Sequence, residues 1–573
     1  MNRDRVSLLC IFTAFIAVAC GRGSSTGTAS GGRSATGGDS VPGAGGATNG
    51  ASGGTTTAGS GGNPTGAGGS ASGSGGNTNA SGGGPGTNTG GNPGGNTGGR
   101  SGTTGGAVGS GGSQVGGSQG TGGATIVAEP QVVTSASNAY WKVGTLTEMA
   151  SATADVTVND ASALQSWNGF GGTFNEAGWS VLSLLSAAER DRAIRLLFDA
   201  TEGARFSYGR LPIGASDYAI DRYTLNENAN DTSMSKFSID RDKQKLIPYI
   251  QAALAVKPDI HLWGSPWTPP TWMKDNAAMD GGNMKEDATT FQALALYLAK
   301  FVEEYAKVGI KIEAVHPQNE PGYETRYPSC LWTAAGMAKF IGMYLGPTFA
   351  SHSLTAGIYL GTMSNNDSGK DGTILTTVTG DATALKYLSG FGLQWNMLPT
   401  VAGLKARNLP IVQTEHKCGN YPWNPSGFPA FNADKAPNDY PYAVESWGYI
   451  RDWIKAGVNV YSAWNMVLDS AGKNLDSMRP WPQNALLTVD TSAKTLTVTP
   501  TYYVFRHLSQ FVDPGAKVVS TTGGDALAFK NPDGTIVAVV YNSGAAKKMT
   551  VAIAGKKQQF DMPANGWATI NWK

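Results

Sequence analysis

The chain has 573 residues and a formal net charge of +1, and charged residues make up only 15% of it. Without a basic stripe, it does not have the composition of a nucleic-acid-binding protein. The part that can fold begins near residue 126 and has about 450 residues, which is enough for one large domain and a smaller one.

The first 125 residues have two distinct compositions. Residues 1–20 combine a basic start, an apolar stretch and small residues before Cys20, which is similar to a bacterial lipoprotein signal. An ordinary signal cut near Ala19 is the alternative. Residues 21–125 are rich in Gly, Ser, Thr and Asn and cannot bury enough apolar surface to fold, so they predict a disordered linker. We therefore expect export, with a lipid on Cys20 anchoring the protein to the cell envelope, or secretion otherwise.

Short apolar strands alternate with helical stretches through the middle of the chain. The predicted strands are 168–174, 205–214, 259–267, 310–320, 356–364, 391–395, 409–416 and 458–466. This alternation indicates an α/β fold with a parallel sheet, and eight units fit a (β/α)8 TIM barrel over residues 166–486. A doubly wound open sheet is the alternative. It is less favoured because "GFGG" at 169–172 does not lead directly into a helix with phosphate-binding spacing.

The pattern becomes purely β-like after Leu486. Short β runs over residues 487–573, with a hairpin turn "NPDG" at 531–534, predict a small antiparallel β-sandwich. The β segment 126–165 precedes the barrel and is expected to contribute strands to the same sandwich.

Two glutamates fall at the ends of predicted barrel strands, where the catalytic groups of TIM barrels lie. Glu320 ends the fourth strand and Glu415 the seventh. Barrel dimensions leave about 6 Å between two inward carboxylates there, close to a retaining glycosidase pair, although a wider inverting pair stays open. Salt-bridged rim glutamates are the other interpretation. Asn319 beside Glu320 argues against it, because a sugar 2-hydroxyl needs such a partner.

Six motifs together resemble one family. In chain order they are "WNGFGGTFNEAGW", "RLPIGASDY", "WGSPWTPPTWMK", "HPQNEP", "TEHKCGN" and "SAWNMVLD". They are similar to glycoside hydrolase family 30, the glucosylceramidase-like retaining β-glycosidases, over residues from about 140 to 573. The resemblance implies a TIM barrel with an attached β-sandwich to which N-terminal strands contribute.

The resemblance also implies roles for individual residues. Glu320 matches the acid/base and Glu415 the nucleophile. The substrate-binding residues that it implies are Asp217 on outer sugar hydroxyls, Trp263 and Trp464 lining the site, Asn319 on the 2-hydroxyl, Tyr327 bonded to the nucleophile, and Arg210 beneath the site. Core packing of the two tryptophans and helix capping by Asp217 are the alternatives.

We therefore expect an exported retaining β-glycoside hydrolase that acts on β-glucosides by double displacement. The substrate is a carbohydrate or glycolipid, either glucosylceramide-like or a β-1,6-glucan or oligosaccharide, because the loop after Glu415 departs from the glucosylceramidase pattern. No cofactor or metal is implied, since two carboxylates and water suffice to hydrolyse a glycosidic bond in this way. Any membrane contact would run through the lipid anchor only. The alternatives are a non-catalytic carbohydrate-binding surface protein on a barrel scaffold and a surface stalk. The oligomeric state stays open.

Two cysteines follow the strands that carry the glutamates. Cys330 and Cys418 lie in loops on the same face of the predicted barrel, in a chain expected to be exported. A disulfide between them and two separate buried thiols are equally open from the sequence.

Overall fold

The computed structural model describes residues 131–366, 370–416, 438–476 and 482–573. The signal, the linker, Cys20 and Cys418 lie outside the described residues, so the expectations about them stay predictions. Within the described ranges, no helix is both long enough and apolar enough to cross a membrane.

Eight parallel strands form a closed barrel in the middle of the chain. Four strands come before it, namely β1 (Gln131–Ala136), β2 (Ala139–Gly144), β3 (Thr147–Glu148) and β4 (Val156–Trp167). The barrel strands are β5 (Gly169–Thr173), β6 (Tyr208–Pro212), β7 (His261–Ser265), β8 (Ile312–Val315), β9 (Gly357–Met363), β10 (Leu388–Leu393), β11 (Ile411–Gln413) and β12 (Val460–Asn465). Neighbours pair in parallel, and β12 pairs with β5 to close the ring. The predicted TIM barrel is confirmed, and the open sheet is excluded.

Helices lie between the strands and cover the barrel. They are α1 (Glu176–Leu182), α2 (Ala187–Phe198), α3 (Asp240–Lys245), α4 (Ile247–Val256), α5 (Ala288–Lys307), α6 (Ala334–Phe340), α7 (Gly346–Ser351), α8 (Asp371–Gly380), α9 (Ala382–Leu385), α10 (Val401–Leu404), α11 (Tyr440–Ala456) and α12 (Pro500–Ser509). The longest, α5, begins where the Asp287 side chain accepts a hydrogen bond from the Thr290 backbone at 3.0 Å. Its apolar face, including Phe291 and Leu298, is fully buried.

The glycines of β5 allow this strand to approach its neighbour closely. Every residue of "GFGGT" is buried, and Gly171 is paired with Tyr208 of β6. A Cβ on Gly171 would lie 2.1 Å from the Tyr208 carbonyl oxygen, which no real contact allows. Gly169 has a φ of +149°, a conformation that L side chains rarely adopt. The "GFGG" segment therefore serves strand packing in the barrel wall.

A small sheet and a helix separate the barrel from the β-sandwich. The small sheet consists of β13 (Val467–Asp469), β14 (Leu487–Asp490) and β15 (Thr495–Val498). The β runs between 487 and 498, predicted as part of the sandwich, instead extend from the last barrel strand, because β14 pairs in parallel with β13. The sandwich strands follow α12 and are β16 (Ala516–Thr522), β17 (Asp525–Lys530), β18 (Ile536–Asn542), β19 (Lys547–Ile553), β20 (Lys556–Met562) and β21 (Gly566–Trp572).

N-terminal and C-terminal strands share one ten-stranded sheet, in the order β2-β1-β21-β18-β17-β16-β4-β19-β20-β3. Its own apolar core contains Val156, Val551 and Ile570. His507 of α12 bonds two neighbouring strands of this sheet. Its ring nitrogens bond the hydroxyls of Ser135 in β1 and Thr569 in β21, at 2.8 Å each. The helix after the barrel thereby holds an N-terminal and a C-terminal strand of the sandwich.

We predict that Gly171→Ala lowers the stability of the protein. The added methyl group must displace the backbone of β6, and overpacking of this kind costs about 1–3 kcal/mol. Gly448→Ala is the matched control, because Gly448 lies within α11 and a Cβ there meets nothing within 4 Å. Gly448→Ala should unfold at the same temperature as the wild type or at a higher one. Equal midpoints for the two variants would contradict the packing role of Gly171.

Candidate active site

Glu320 lies in the loop after β8, not within the strand. The strand ends at Val315, so the predicted strand 310–320 was too long. Pro317 and Pro321 flank the glutamate and have no N–H with which to continue a ladder of hydrogen bonds. Glu320 has a φ of +46°, a left-handed conformation that is uncommon for residues other than glycine. Such conformations occur at functional sites, where the surrounding structure holds them.

Two backbone hydrogen bonds hold this turn over the barrel mouth. The Asn319 N–H donates to the Pro266 carbonyl oxygen at 2.7 Å, and the Glu320 N–H donates to the Thr362 carbonyl oxygen at 2.9 Å. The loop is thus attached to the ends of both neighbouring strands, β7 and β9. These bonds hold the half-buried Glu320 over the barrel mouth.

Glu415 follows β11 by two residues, and its carboxylate is buried. Its Oε2 accepts a hydrogen bond from Arg210 Nη1 at 2.7 Å. Its Oε1 accepts one from Trp395 Nε1 at 2.9 Å. The structure therefore places both predicted catalytic glutamates at the carboxyl-terminal mouth of the barrel, each beyond its strand.

Gln394, which follows β10, contacts both carboxylates. Its Nε2 lies 3.0 Å from Glu320 Oε1 and 3.3 Å from Glu415 Oε2. These two oxygens are therefore at most about 6.3 Å apart, the sum of the two bonds. An oxygen-to-oxygen approach of this kind is compatible with the roughly 5–5.5 Å that separates the carboxyl groups of retaining glycosidases.

Arg210 of β6 is fully buried beneath the carboxylates. Besides its bond to Glu415, its Nη2 donates to Asn319 Oδ1 at 2.6 Å, and its Nε and Nη2 both donate to Ser265 Oγ, at 3.2 and 3.1 Å. The planar guanidinium can donate in several fixed directions at once, which an ammonium group cannot. The predicted position of Arg210 under the site agrees with this geometry.

Asn319 is held with its amide oxygen toward Arg210. Its Oδ1 accepts from Arg210 Nη2 and from Thr362 Oγ1, each at 2.6 Å. Both acceptor positions are occupied, which fixes the amide orientation. The Asn319 Nδ2 donates to no other group in the described part of the chain, so it is available to a ligand hydroxyl.

Aromatic rings form one wall of the site. Trp267 and Trp464 stack with their centroids 5.3 Å apart, and Tyr218 packs edge-on against Trp464. Tyr327 belongs to the same buried cluster. The Arg210 guanidinium lies 4.4 Å from the Trp267 ring, close enough for a cation–π contact. Trp464 therefore lies beside Arg210 and Trp267, and its contact with substrate stays a prediction.

Trp263 lies elsewhere. It packs on His316 at 4.2 Å and borders a cavity of about 100 Å³ with Tyr208, at the end of the barrel where the strands begin. Trp263 thus lies under Arg210 rather than beside the substrate space. The tryptophan in the wall is Trp267, four residues further along the same motif, where β7 has already ended.

Tyr327 does not bond to Glu415, the predicted nucleophile. Among the described residues, the hydrogen bonds to Glu415 come from Arg210, Gln394 and Trp395. Burial and the nearby carboxylate charges raise the pKa of Tyr327 well above its usual value, so the hydroxyl stays neutral. The indole N–H of Trp395 takes the place that the resemblance assigned to the tyrosine hydroxyl.

Asp217 lies in the loop after β6 and is almost fully buried. Its Oδ1 has no hydrogen-bond partner among the described residues, and its Oδ2 lies 3.5 Å from Asn474 Nδ2. Burial and the charge of Glu415 raise the pKa of Asp217 to about 8. A buried oxygen without a partner is costly, so a ligand hydroxyl would stabilise it. No described helix begins at Asp217, which rules out the capping alternative.

The two glutamates have unequal electrostatic surroundings. Burial raises the pKa of Glu320, and the charge of Glu415 raises it further. Burial also raises the pKa of Glu415, but Arg210, Trp395 and Gln394 oppose this increase. Among the described residues, an arginine bonds Glu415 but none bonds Glu320, so burial disfavours the charged form of Glu320 more than that of Glu415.

Cys330 is a free, fully buried thiol whose pKa burial raises to about 12. This structure therefore has no disulfide at Cys330, and Cys418 lies outside the described residues. The described residues contain no group of three side chains that could hold a metal ion.

A barrel mouth that holds two carboxyls bridged by one amide nitrogen, beside stacked aromatic rings, is typical of a glycoside hydrolase site. Residues 167–512 match the glycosyl hydrolase family 30 TIM-barrel domain, and residues 515–570 match the family 30 beta sandwich domain. The chain belongs to glycosyl hydrolase family 30 and is a glycosidase.

Relatives within this family carry two different activities in their names. The lysosomal acid glucosylceramidase of Mus musculus is 29% identical over 413 residues, covering 68% of this chain and 77% of that protein. The endo-1,6-beta-D-glucanase of Neurospora crassa is 25% identical over 444 residues, covering 72% and 88%. The solved endo-beta1,6-glucanase BT3312 shares the fold with a TM-score of 0.68 and 24% identity, covering 77% of this chain and 99% of that one.

We predict that Arg210→Lys lowers kcat/KM by about 100-fold, because lysine cannot bond Glu415, Asn319 and Ser265 together. Because lysine keeps the positive charge, a fall in kcat/KM would come from the lost arrangement of hydrogen bonds. Arg451→Lys is the matched control, because the ion pairs of Arg451 with Asp452 and Asp525 lie on the surface. Steady-state kinetics of both folded variants measure the effect. An Arg210→Lys enzyme within a few-fold of the wild type would contradict it.

Proposed function

We propose that the protein is a retaining β-glucosidase that works by double displacement. The close approach of Glu320 and Glu415 carries this proposal, since an inverting pair needs room for a water molecule between the carboxyls. Their unequal surroundings support it, because the reaction begins with one protonated and one ionised carboxyl.

In the first step, Glu415 attacks the anomeric carbon and Glu320 protonates the departing oxygen. Oε1 is the attacking atom, because it accepts one hydrogen bond whereas Oε2 accepts two. The electron pair of the glycosidic bond passes to the leaving oxygen, which takes the Glu320 proton. The product is an α-linked glycosyl ester of Glu415 and a free aglycone.

In the second step, the Glu320 carboxylate takes a proton from water as the water attacks the anomeric carbon. The ester bond breaks, its electron pair returns to Glu415, and the sugar leaves as the β-anomer. Asn319 Nδ2 donates to the sugar 2-hydroxyl, and Asp217 Oδ1 accepts from outer hydroxyls. Bonds of this kind strengthen as charge develops on the ring in the transition state.

The glycone is glucose, and the aglycone is either a glucosylceramide-like lipid or a β-1,6-linked glucan. The names of the two curated relatives support these two classes. Export on a lipid anchor at Cys20 is a further part of the proposal and is supported by the composition of residues 1–125.

We predict that hydrolysis of an aryl β-glucoside gives the β-anomer first, because two inversions restore the configuration. Proton NMR of the earliest product distinguishes the anomers before they equilibrate. Parallel assays with aryl β-xyloside, β-fucoside and β-galactoside test the choice of glucose. Glu415→Gln is the control, since it removes the nucleophile while keeping the size of the side chain. Initial formation of the α-anomer would show inversion and contradict the mechanism.

A further inference from the structure

The geometry points to Gln394 as a positioning residue that couples the two catalytic carboxyls through one amide nitrogen. Its two N–H groups are divided between Glu320 Oε1 at 3.0 Å and Glu415 Oε2 at 3.3 Å. The residue is fully buried, so no water competes for these bonds. This role rests on the double displacement proposed above.

The amide of Gln394 is fixed in one orientation. Thr414 Oγ1 lies 2.8 Å from Gln394 Oε1 and donates to it, which leaves the NH2 group facing the carboxyls. A flipped amide would place its oxygen against the Glu415 carboxylate, where two acceptors repel each other. The Gln394 backbone N–H also donates to the Met363 carbonyl oxygen at 2.8 Å, so both ends of the residue are anchored.

One immobile amide can serve both half-reactions. In the free enzyme Glu415 carries the negative charge, and its bond from Gln394 is charge-assisted. After glycosylation Glu415 is a neutral ester and Glu320 is the carboxylate, so the charge-assisted bond is now the one to Glu320. The negative charge thus moves from Glu415 to Glu320, and Gln394 Nε2 can donate to either carboxylate without moving. A neutral amide does this without adding a charge that would hold Glu320 deprotonated.

The neighbouring Trp395 provides an internal comparison. Its indole N–H bonds only Glu415, at 2.9 Å. Gln394 lowers the pKa of both carboxyls, whereas Trp395 lowers that of Glu415 alone. Within the described ranges, the other titratable groups that act on the pair are Arg210, Asp217, Asp371 and Tyr327, and none of them is changed in the variants below.

The test compares the pH profile of kcat/KM for Gln394→Met and Trp395→Phe with that of the wild type. The acid limb reports Glu415, which must be ionised, and the alkaline limb reports Glu320, which must be protonated. Removing a hydrogen-bond donor destabilises the ionised carboxylate, which raises the pKa of each carboxyl that accepted a bond from it. Gln394→Met should therefore move both limbs to higher pH and lower kcat/KM about 10–100-fold. Trp395→Phe should move only the acid limb.

A second variant covers the case in which Gln394→Met does not fold. Gln394→Glu keeps the size and polarity of the side chain but has no donor when ionised. Even its protonated form has a single O–H donor and cannot bond both glutamates, so it should lower kcat/KM by about 100-fold or more across the pH profile. Limbs that stay unmoved in Gln394→Met, or a wild-type profile in Gln394→Glu, overturn the coupling role. A wild type that hydrolyses no β-glycoside would instead overturn the proposed function.

Discussion

A single buried charge, the guanidinium of Arg210, determines how the mouth of this barrel is built. Burying an unpaired cation in the barrel would cost several kcal/mol, so its surroundings must supply acceptors and polarisable faces. Glu415, Asn319 and Ser265 supply the acceptors, and the rings of Trp267 and Trp464 pack against the guanidinium. These groups lie on or just beyond different strands, so the hydrogen bonds of one arginine align Glu415, the proposed nucleophile, with Asn319, the proposed contact of the 2-hydroxyl.

Glu320, the proposed acid/base, is held by other means. No arginine of the described residues bonds it, and its left-handed backbone is attached at Thr362. Asp371 accepts from the Gly322 N–H at 2.6 Å and from the Ser364 N–H at 2.6 Å, which ties the same loop to the end of β9. Arg210 therefore favours the charged form of Glu415, whereas burial and a neighbouring carboxylate disfavour the charged form of Glu320. The chemistry depends on this asymmetry.

The sequence predicted those features of the fold and the site that depend on a residue's type and on its position along a strand. Eight strands, the positions of Glu320 and Glu415, and the central place of Arg210 followed from alternation and motif. Gln394 and Trp395 were missed, because a glutamine at a strand end has no chemical signature until the fold brings it between two carboxylates. Trp263 and Trp267 could not be told apart by spacing, since the choice depends on where β7 stops. The β runs after Leu486 were misassigned because propensity does not reveal which partner a strand selects.

The central claim is that Glu415 forms the covalent bond to the sugar while Glu320 transfers the proton. Mass spectrometry after inactivation with 2-deoxy-2-fluoro-β-glucosyl fluoride tests it most directly. The fluorine at C2 slows both steps by destabilising the oxocarbenium-like transition state, and the fluoride leaving group keeps the first step fast enough for the ester to accumulate. The account predicts one fluoroglucosyl group per chain, on the proteolytic peptide that contains Glu415. A label on the peptide that contains Glu320, or no label on an enzyme that turns over aryl β-glucosides, would contradict it.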